Sequence, residues 1–339
     1  MARIDLNATT QWITAAAISD GARLPDLLAE RLGVTRRSAC NALRRLVALQ
    51  WLTVQGCARR RVYRPGALRQ VVRRYAIAGL EEDAPWRHDF APCFELAPEL
   101  LRMVRHAYTE LLNNAVSHSG GTQVTVSMRQ TPLQVQLLIS DDGCGLFERI
   151  QQGHAIADPA LAMFELAKGK LTTSPDRHRG HGLYFSSRLA DVFDIHANGV
   201  AYQCRNWDER RWHAGRPVAR VGTTVFLAFA IGTPRTLGEV ARRHSADGAG
   251  TRFDCTEVPL HLLGQDGGGG LSLVSRAEAR RVVARLAGFE RAELDFGGIA
   301  EIGQGFADEL FRVLHRELPR LELVPRRMSE RVAAMAAAV

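Results

Sequence analysis

Lysine is almost missing from this chain: of 44 basic residues in 339, only Lys168 and Lys170 are lysines, so the positive charge is nearly all arginine. Paired cysteines are missing too. Cys40, Cys57, Cys93, Cys144, Cys204 and Cys255 form no CxxC pair and no zinc spacing, which excludes a disulfide framework or a metal cluster and fits a reduced protein. No run of roughly 18 apolar residues occurs, as a membrane span would need. Arg3 and Asp5 open the chain without the apolar core of a leader, so no membrane insertion and a cytoplasmic location are expected. What is present is 46% hydrophobic content over 339 residues, enough for two to three domains, each with its own core.

The charge is unevenly placed. Residues 1–80 hold 14 arginines against 4 acids, a net +10, and the remaining 30 bases and 32 acids leave −2. Such asymmetry is a footprint of nucleic-acid binding, because cationic side chains displace counterions from phosphates. In the same segment "TTQWITAAAIS" and "LPDLLAERLG" predict two helices, the second ended by Gly33, and Thr35 can cap a third, "RRSACNALRRLVALQ". "WLTVQG" and "RRRVYRP" follow as a predicted hairpin. This order resembles a winged helix-turn-helix domain. The resemblance implies that the third helix meets the DNA groove through Arg36, Arg37, Ser38, Asn41, Arg44 and Arg45, while Arg59, Arg60 and Arg61 touch backbone from the wing. The alternative use of such a domain is protein association.

Residues 67–90, "ALRQVVRRYAIAGLEED" with the prolines that follow, predict a helical connector. Beyond it, "PELLRMVRHAYTELLNNAVSHSG" repeats apolar residues at helical spacing until Gly120. Glu110, Asn113, Asn114 and Ser117 lie along one side of that helix, and Glu110 and Asn114 project one turn apart. A carboxylate and an amide so aligned can hold a hydrated Mg²⁺ and orient a water. "TQVTVSMRQ" and "LQVQLLISDDGCG" alternate as two strands, the second running into Asp141, Gly143 and Gly145, an acceptor beside closely approachable backbone. "RGHGLYFSSRLAD" opens a helix suited to phosphate, and "GTTVFLAF" is a strand entered through Gly222 and Thr223.

"ELLNNA", "DDGCG", "GHGL" and "GTTV", in this order over residues 90–232, resemble the N box and three glycine boxes of the GHKL superfamily of histidine kinases, chaperones, topoisomerases and mismatch-repair ATPases. The resemblance implies ATP and Mg²⁺ as cofactors. Asn114 would ligate Mg²⁺, Glu110 would polarise the attacking water, and Asp141 would accept from adenine with Thr223 assisting. Gly143 and Gly145 would admit the base, and Gly180, His181, Gly182 and Leu183 would edge the phosphate side of a lid spanning residues 148–182. Lys168 and Lys170 fall in that lid, either as point charges within reach of the γ-phosphate or on a solvated loop. Histidine autophosphorylation is not expected, because His88 lies between Pro85 and Pro92, which exclude a long helix. His106 and His118 belong to the N-box helix itself.

The last part alternates strand and helix signals around "LDFGGIAEIGQGFADELF" and resembles a STAS-like domain of unknown function. Where the STAS partners of anti-sigma kinases carry a phosphorylatable hydroxyl, this chain reads Ile302-Gly303-Gln304-Gly305. The expected fold is multidomain α+β: a winged helix over 1–75, a Bergerat-type α/β sandwich ATPase domain over 76–232, a linker over 233–251, and a small STAS-like α/β domain over 252–339. The expected function is an ATP-binding, DNA-binding regulator with slow Mg²⁺-dependent ATPase activity, acting on double-stranded DNA, with a protein partner on the STAS-like domain and homodimerisation. The alternatives are an anti-sigma-type serine/threonine protein kinase acting on a partner, and an ATP-binding scaffold.

Overall fold

The computed structural model describes residues 4–57, 60–156, 158–171, 180–208, 211–266 and 271–339. Arg59 of the expected wing, residues 172–179 of the expected lid and the glycines at 267–270 lie outside the described residues. In chain order the strands are β1 Leu52–Gln55, β2 Val62–Pro65, β3 Arg69–Ala76, β4 Gln123–Gln130, β5 Gln134–Asp141, β6 Val192–Ala197, β7 Val200–Arg205, β8 Trp212–Ala214, β9 Thr223–Ala230, β10 Cys255–Pro259, β11 Gln265–Asp266, β12 Leu271–Leu273, β13 Arg291–Asp295, β14 Ile299–Ile302 and β15 Glu322–Arg326. The helices are α1 Leu6–Asp20, α2 Leu24–Leu32, α3 Arg36–Ala48, α4 Asp83–Pro85, α5 Pro98–His118, α6 Leu146–His154, α7 Pro159–Lys168, α8 Gly182–Leu189, α9 Leu237–Arg243, α10 Arg276–Val283, α11 Gln304–Ala307, α12 Leu314–Glu317 and α13 Glu330–Ala337. They form two compact units: Met1–Gly143 with Gly222–Pro234, and Cys144–Val221 with Arg235–Val339.

In the first unit, α1 starts where the Asp5 carboxylate accepts from the amides of Asn7 and Ala8, at 2.8 and 3.2 Å. Gly33 closes α2 in the left-handed conformation at φ 61°, and the Thr35 hydroxyl opens α3 by accepting from the Ser38 amide at 3.2 Å. The three helices and the antiparallel hairpin β1–β2 share a core that includes Ile13, Leu28, Leu43, Leu46 and Tyr63. Each such side chain contributes about 1.5–3 kcal/mol by burial. The helix expected after this hairpin is overturned. Residues 69–76 form β3, antiparallel to β4 from Arg69 opposite Gln130 to Ala76 opposite Gln123. Leu68, Val71, Val72 and Tyr75 fit a helical repeat, yet Val71 and Val72 are β-branched, and pairing with β4 fixes the strand with Val71 fully buried. Strands β4, β5 and β9 continue antiparallel, and α5 lies on β5 and β9 with Val104, Tyr108 and Leu112 buried beneath it.

In the second unit, β6, β7 and β8 make an antiparallel meander. Strands β10, β13 and β15 pair in parallel, while β12 pairs antiparallel with β11 and parallel with β14. Ser275 and Glu278 form a complete capping box on α10. The helix expected after β14 runs from α11 through a π-helical stretch, Asp308–Val313, into α12. Val258, Leu294, Phe296, Phe306 and Leu310 centre the core, and Phe164 of α7 and Tyr184 of α8 belong to it. Among the described residues no helix is long and apolar enough to cross a membrane.

Asp142 ties the turn after α5 to the end of β5. Its Oδ1 accepts from the amides of Thr122 and Gln123 at 2.7 and 2.9 Å, and its Oδ2 accepts from the Thr122 hydroxyl at 2.7 Å. The Gln123 amide, followed by the Thr122 hydroxyl, holds the carboxyl down at about 2. A depressed carboxyl contributes stability that is complete above its ordinary value of 3.8 and is lost as pH falls towards 2. Asp142→Asn should therefore lower the urea midpoint near neutral pH, and the gap to wild type should close between about pH 4 and pH 2. A gap that stays constant through this window would show that the charge is not its source.

Candidate functional site

Helix α5 presents Glu110, Asn113 and Asn114 half-buried and Ser117 exposed, on the side away from its apolar stripe. Asn113 Oδ1 is buried without a protein partner, an acceptor held out of water at a cost of about 1–3 kcal/mol. His106, one turn before Glu110, is pushed down by burial against the pull of the Glu110 carboxylate, which favours a neutral ring.

At the strand ends of the same unit, β5 delivers Asp141 beside β9. Asp141 Oδ1 accepts two backbone bonds, from Gly143 at 2.9 Å and Thr223 at 3.1 Å. The residue is buried, and burial pushes its carboxyl up while the two amides pull it back. The turn that supplies the Thr223 amide is tight. Gly222 sits at φ 90°, and a Cβ there would lie 2.2 Å from the Asp141 carbonyl oxygen. A Cβ on Gly143 would lie 2.2 Å from the Ser119 carbonyl oxygen, so neither position admits a side chain without backbone movement. Ser140 and Thr224 hydrogen-bond through their hydroxyls at 2.6 Å across the two strands behind the carboxylate. The structure thus brings Asp141, Gly143 and Thr223 together and sets Glu110 and Asn114 on one helix. Gly222, Ser140 and Asp142 were not among the expected site residues; the doubled aspartate of "DDGCG" is the signal that could have pointed to Asp142.

The other residues expected around the nucleotide belong to the second unit. Gly145, at φ 91°, precedes α6, and a Cβ there would meet the Asn198 amide nitrogen at 2.6 Å. Gly180, at φ 67°, packs against the Leu171 backbone. His181 precedes α8 with its ring edge-on to Phe253 at 4.9 Å, while Gly182 is buried and Leu183 half-buried.

Of the two lysines, Lys168 is sealed in the core and Lys170 is half-buried. Lys168 is 1% exposed, and its Nζ donates to Glu165 Oε1 at 2.7 Å, the Arg281 carbonyl at 2.8 Å and the Ala284 carbonyl at 3.0 Å. Burial pushes its ammonium down to about 8, against the pull of Glu165. Three acceptors satisfy the three donors of an ammonium, so binding a phosphate would require giving up at least one of them. Lys170 donates to the Gly288 carbonyl at 2.5 Å and lies 4.0 Å from the Phe289 ring centroid. The Thr256 hydroxyl donates to the Lys168 carbonyl at 2.5 Å, so the end of α7 is held through both side chain and backbone.

On α3, Arg36, Arg37, Asn41, Arg44 and Arg45 are exposed and Ser38 is half-buried against the Thr35 cap. Arg36 bonds Asp26 at 2.8 Å and Arg44 bonds Asn41. Arg60 and Arg61 are exposed next to β2.

Residues 80–204 match the family model of the histidine kinase-like ATPase domain. The chain carries a histidine kinase-like ATPase domain. The match contains α5, Asp141, Gly143 and the segment Gly180–Leu183, and it ends before the turn at Gly222 that brings the Thr223 amide onto the Asp141 carboxylate. Residues 278–332 match a STAS-like domain of unknown function, which starts after β10 although the structure pairs β10 with β13 inside the match. No curated protein matches the chain.

Lys168→Met tests the anchoring of α7. Removing one partner of a buried pair typically costs about 3–5 kcal/mol. The low end is expected, because Arg285 stands 3.7 Å from Glu165 and partly compensates it. Chemical denaturation should show a loss of about 3 kcal/mol. A loss below about 1 kcal/mol would mean that the anchor is not maintained in solution.

Proposed function

We propose that this protein is an ATP-binding regulator in which the ATPase domain sets the state of the STAS-like domain and of a DNA-binding front segment. The observation that carries the reading is the doubly bonded Oδ1 of Asp141, which fixes the carboxylate so that Oδ2 can accept from an adenine amino group. Gly143 and Gly222, where a Cβ would strike the Ser119 and Asp141 carbonyl oxygens, let the turns close tightly enough to hold the Gly143 and Thr223 amides on that carboxylate. In this reading Asn114 would ligate Mg²⁺ and Glu110 would hold and orient a water; the unpartnered amide oxygen of Asn113 on the same helix supports a polar ligand there. When bound, ATP with Mg²⁺ supplies a transferable phosphoryl group. Burial favours the neutral ring of His106, so that residue adds no fixed cation beside Glu110.

The regulatory part of the proposal rests on α7. This helix lies in the segment that the family resemblance makes the lid, and its final residue is seated on carbonyls of α10 and the turn after it. A lid that answers to nucleotide would then alter the STAS-like core directly, as differential contacts between two states require. The front segment offers the exposed arginines of α3 and of the hairpin to DNA phosphates. The kinase reading draws on the presence of both domains in one chain; with Gln304 at the start of α11, the phosphoacceptor would be a hydroxyl on a partner.

Mg²⁺-ATP should bind the wild-type protein and slow amide hydrogen exchange changes should appear at residues 276–288, while Asp141→Ala should abolish both. Undiminished ATP affinity in Asp141→Ala would move the pocket elsewhere, and binding without any exchange change at 276–288 would remove the lid relay. Arg36 and Arg37 changed together to alanine should weaken DNA binding and reduce the slope of log affinity against log salt by about two. An unaltered slope would remove α3 as the DNA surface.

A further inference from the structure

Parallel sheets ordinarily have both faces covered. The sheet β10–β13–β15 has one face in the core, with Val258, Ala292 and Leu294 fully buried. The register puts Cys255, Arg291 and Glu322 in one row on the opposite face, Glu257, Glu293 and Val324 in the next, and Pro259, Asp295 and Arg326 in the last. That face is charged, and two clefts of about 600 Å³ each open over it, both lined by Arg243, Glu257 and Glu293. The second cleft reaches the carboxyl ends of the strands at Pro259, Asp295 and Arg326, where ligands of open α/β sheets bind.

The charges in that cleft do not cancel locally. Arg326 is met by Glu293 at 3.0 Å, and Arg327 by Asp295. Three guanidiniums converge on the single carboxylate of Glu257: Arg211 at 2.7 Å, Arg243 at 3.1 Å and Arg188 at 3.9 Å. They hold its carboxyl well down, to about 2, against the burial that would raise it. Arg188 is 8% exposed, and its Nε is buried without a partner. Asp208 also lines the cleft and is met by His213 at 3.0 Å, so the five arginines Arg188, Arg211, Arg243, Arg326 and Arg327 outnumber the four carboxylates by one, and Trp207 lies beside them with 68% of its surface exposed. A guanidinium fork matches phosphate oxygens, and an open indole face stacks planar rings.

We propose that this cleft binds a mononucleotide, its phosphate on Arg211 and Arg243 and its base on Trp207, at a site separate from the one built around Asp141. The site is tested in the full chain carrying Asp141→Ala, so that loss of the ATPase adenine acceptor leaves this binding as the readout. AMP, GMP, CMP, UMP and inorganic phosphate are titrated by calorimetry at two salt concentrations. At least one mononucleotide should bind saturably, more tightly than inorganic phosphate and more weakly at higher salt. Arg211→Gln and Arg243→Gln should each reduce affinity about tenfold, the loss expected for one charged hydrogen bond. Trp207→Ala should lower mononucleotide affinity and leave phosphate affinity unchanged. Arg243 and Trp207 are exposed enough for substitution without loss of the fold, and melting temperatures check this. Absence of saturable binding by every mononucleotide, binding indifferent to Arg211 and Arg243, or phosphate binding as tightly as every mononucleotide would each overturn the proposal. Because the titration is done without the Asp141 carboxylate, failure here leaves the ATP reading standing, and failure of ATP binding leaves this one.

Discussion

Strand β5 is hydrogen-bonded along both edges, to β4 and to β9, and the chemistry of the first unit follows from that confinement. A strand held on both sides cannot slip by one residue without turning its buried face outward. Val135, Leu137 and Ile139 are therefore locked inward, and the chain that follows must leave at Asp141. Desolvation makes a carboxylate there costly, and the amides of Gly143 and Thr223 offset the cost. Glycine at 143 and 222 is the backbone condition for those bonds, since larger residues would push the turn off the carboxylate.

The second unit handles buried charge in two ways. At Lys168 each donor has an acceptor, so the ion behaves as a peg that fixes α7 to the core of the STAS-like domain. Around Glu257 the count is uneven, with three arginines sharing one carboxylate. A balanced buried ion is a fastening, whereas an unbalanced one retains attraction for a further charge. The two arrangements share the second unit, and the difference between them separates the structural cation from the binding surface.

Much of the architecture was legible because its causes are local. Gly33, Thr35 and the apolar spacing of residues 100–116 act within a turn or two of themselves, and all three appear where the pattern put them. The alternation of residues 123–141 likewise gave a strand pair. Where causes are distant, the pattern failed. Residues 69–76 suit a helix in isolation, and their partner strand lies about fifty residues further on. The burial of Lys168 is not visible in its own segment, because its acceptors, Arg281 and Ala284, stand more than a hundred residues away. At the candidate site Asp141, Gly143 and Thr223 could be named from the glycine boxes, but the pinning role of Asp142 and the closure at Gly222 are consequences of strand ends meeting in space. The charged face of β10, β13 and β15 shows as alternation within each strand; only the parallel register aligns the three rows.

The near absence of lysine gives the protein an unusual chemical economy of side-chain amines. Both lysines stand at the end of α7 and just beyond it, and the first is sealed in the core. An endoprotease that cuts only after lysine has two peptide bonds to choose from in all 339 residues, and both report on the same helix end. Amine-acylating reagents are restricted in the same way to Lys168, Lys170 and the terminal amine. The sequence has thus confined its amine chemistry to the piece of structure whose seating joins the ATPase segment to the STAS-like core, so that scission or acylation at Lys168 measures how often that seat is vacated.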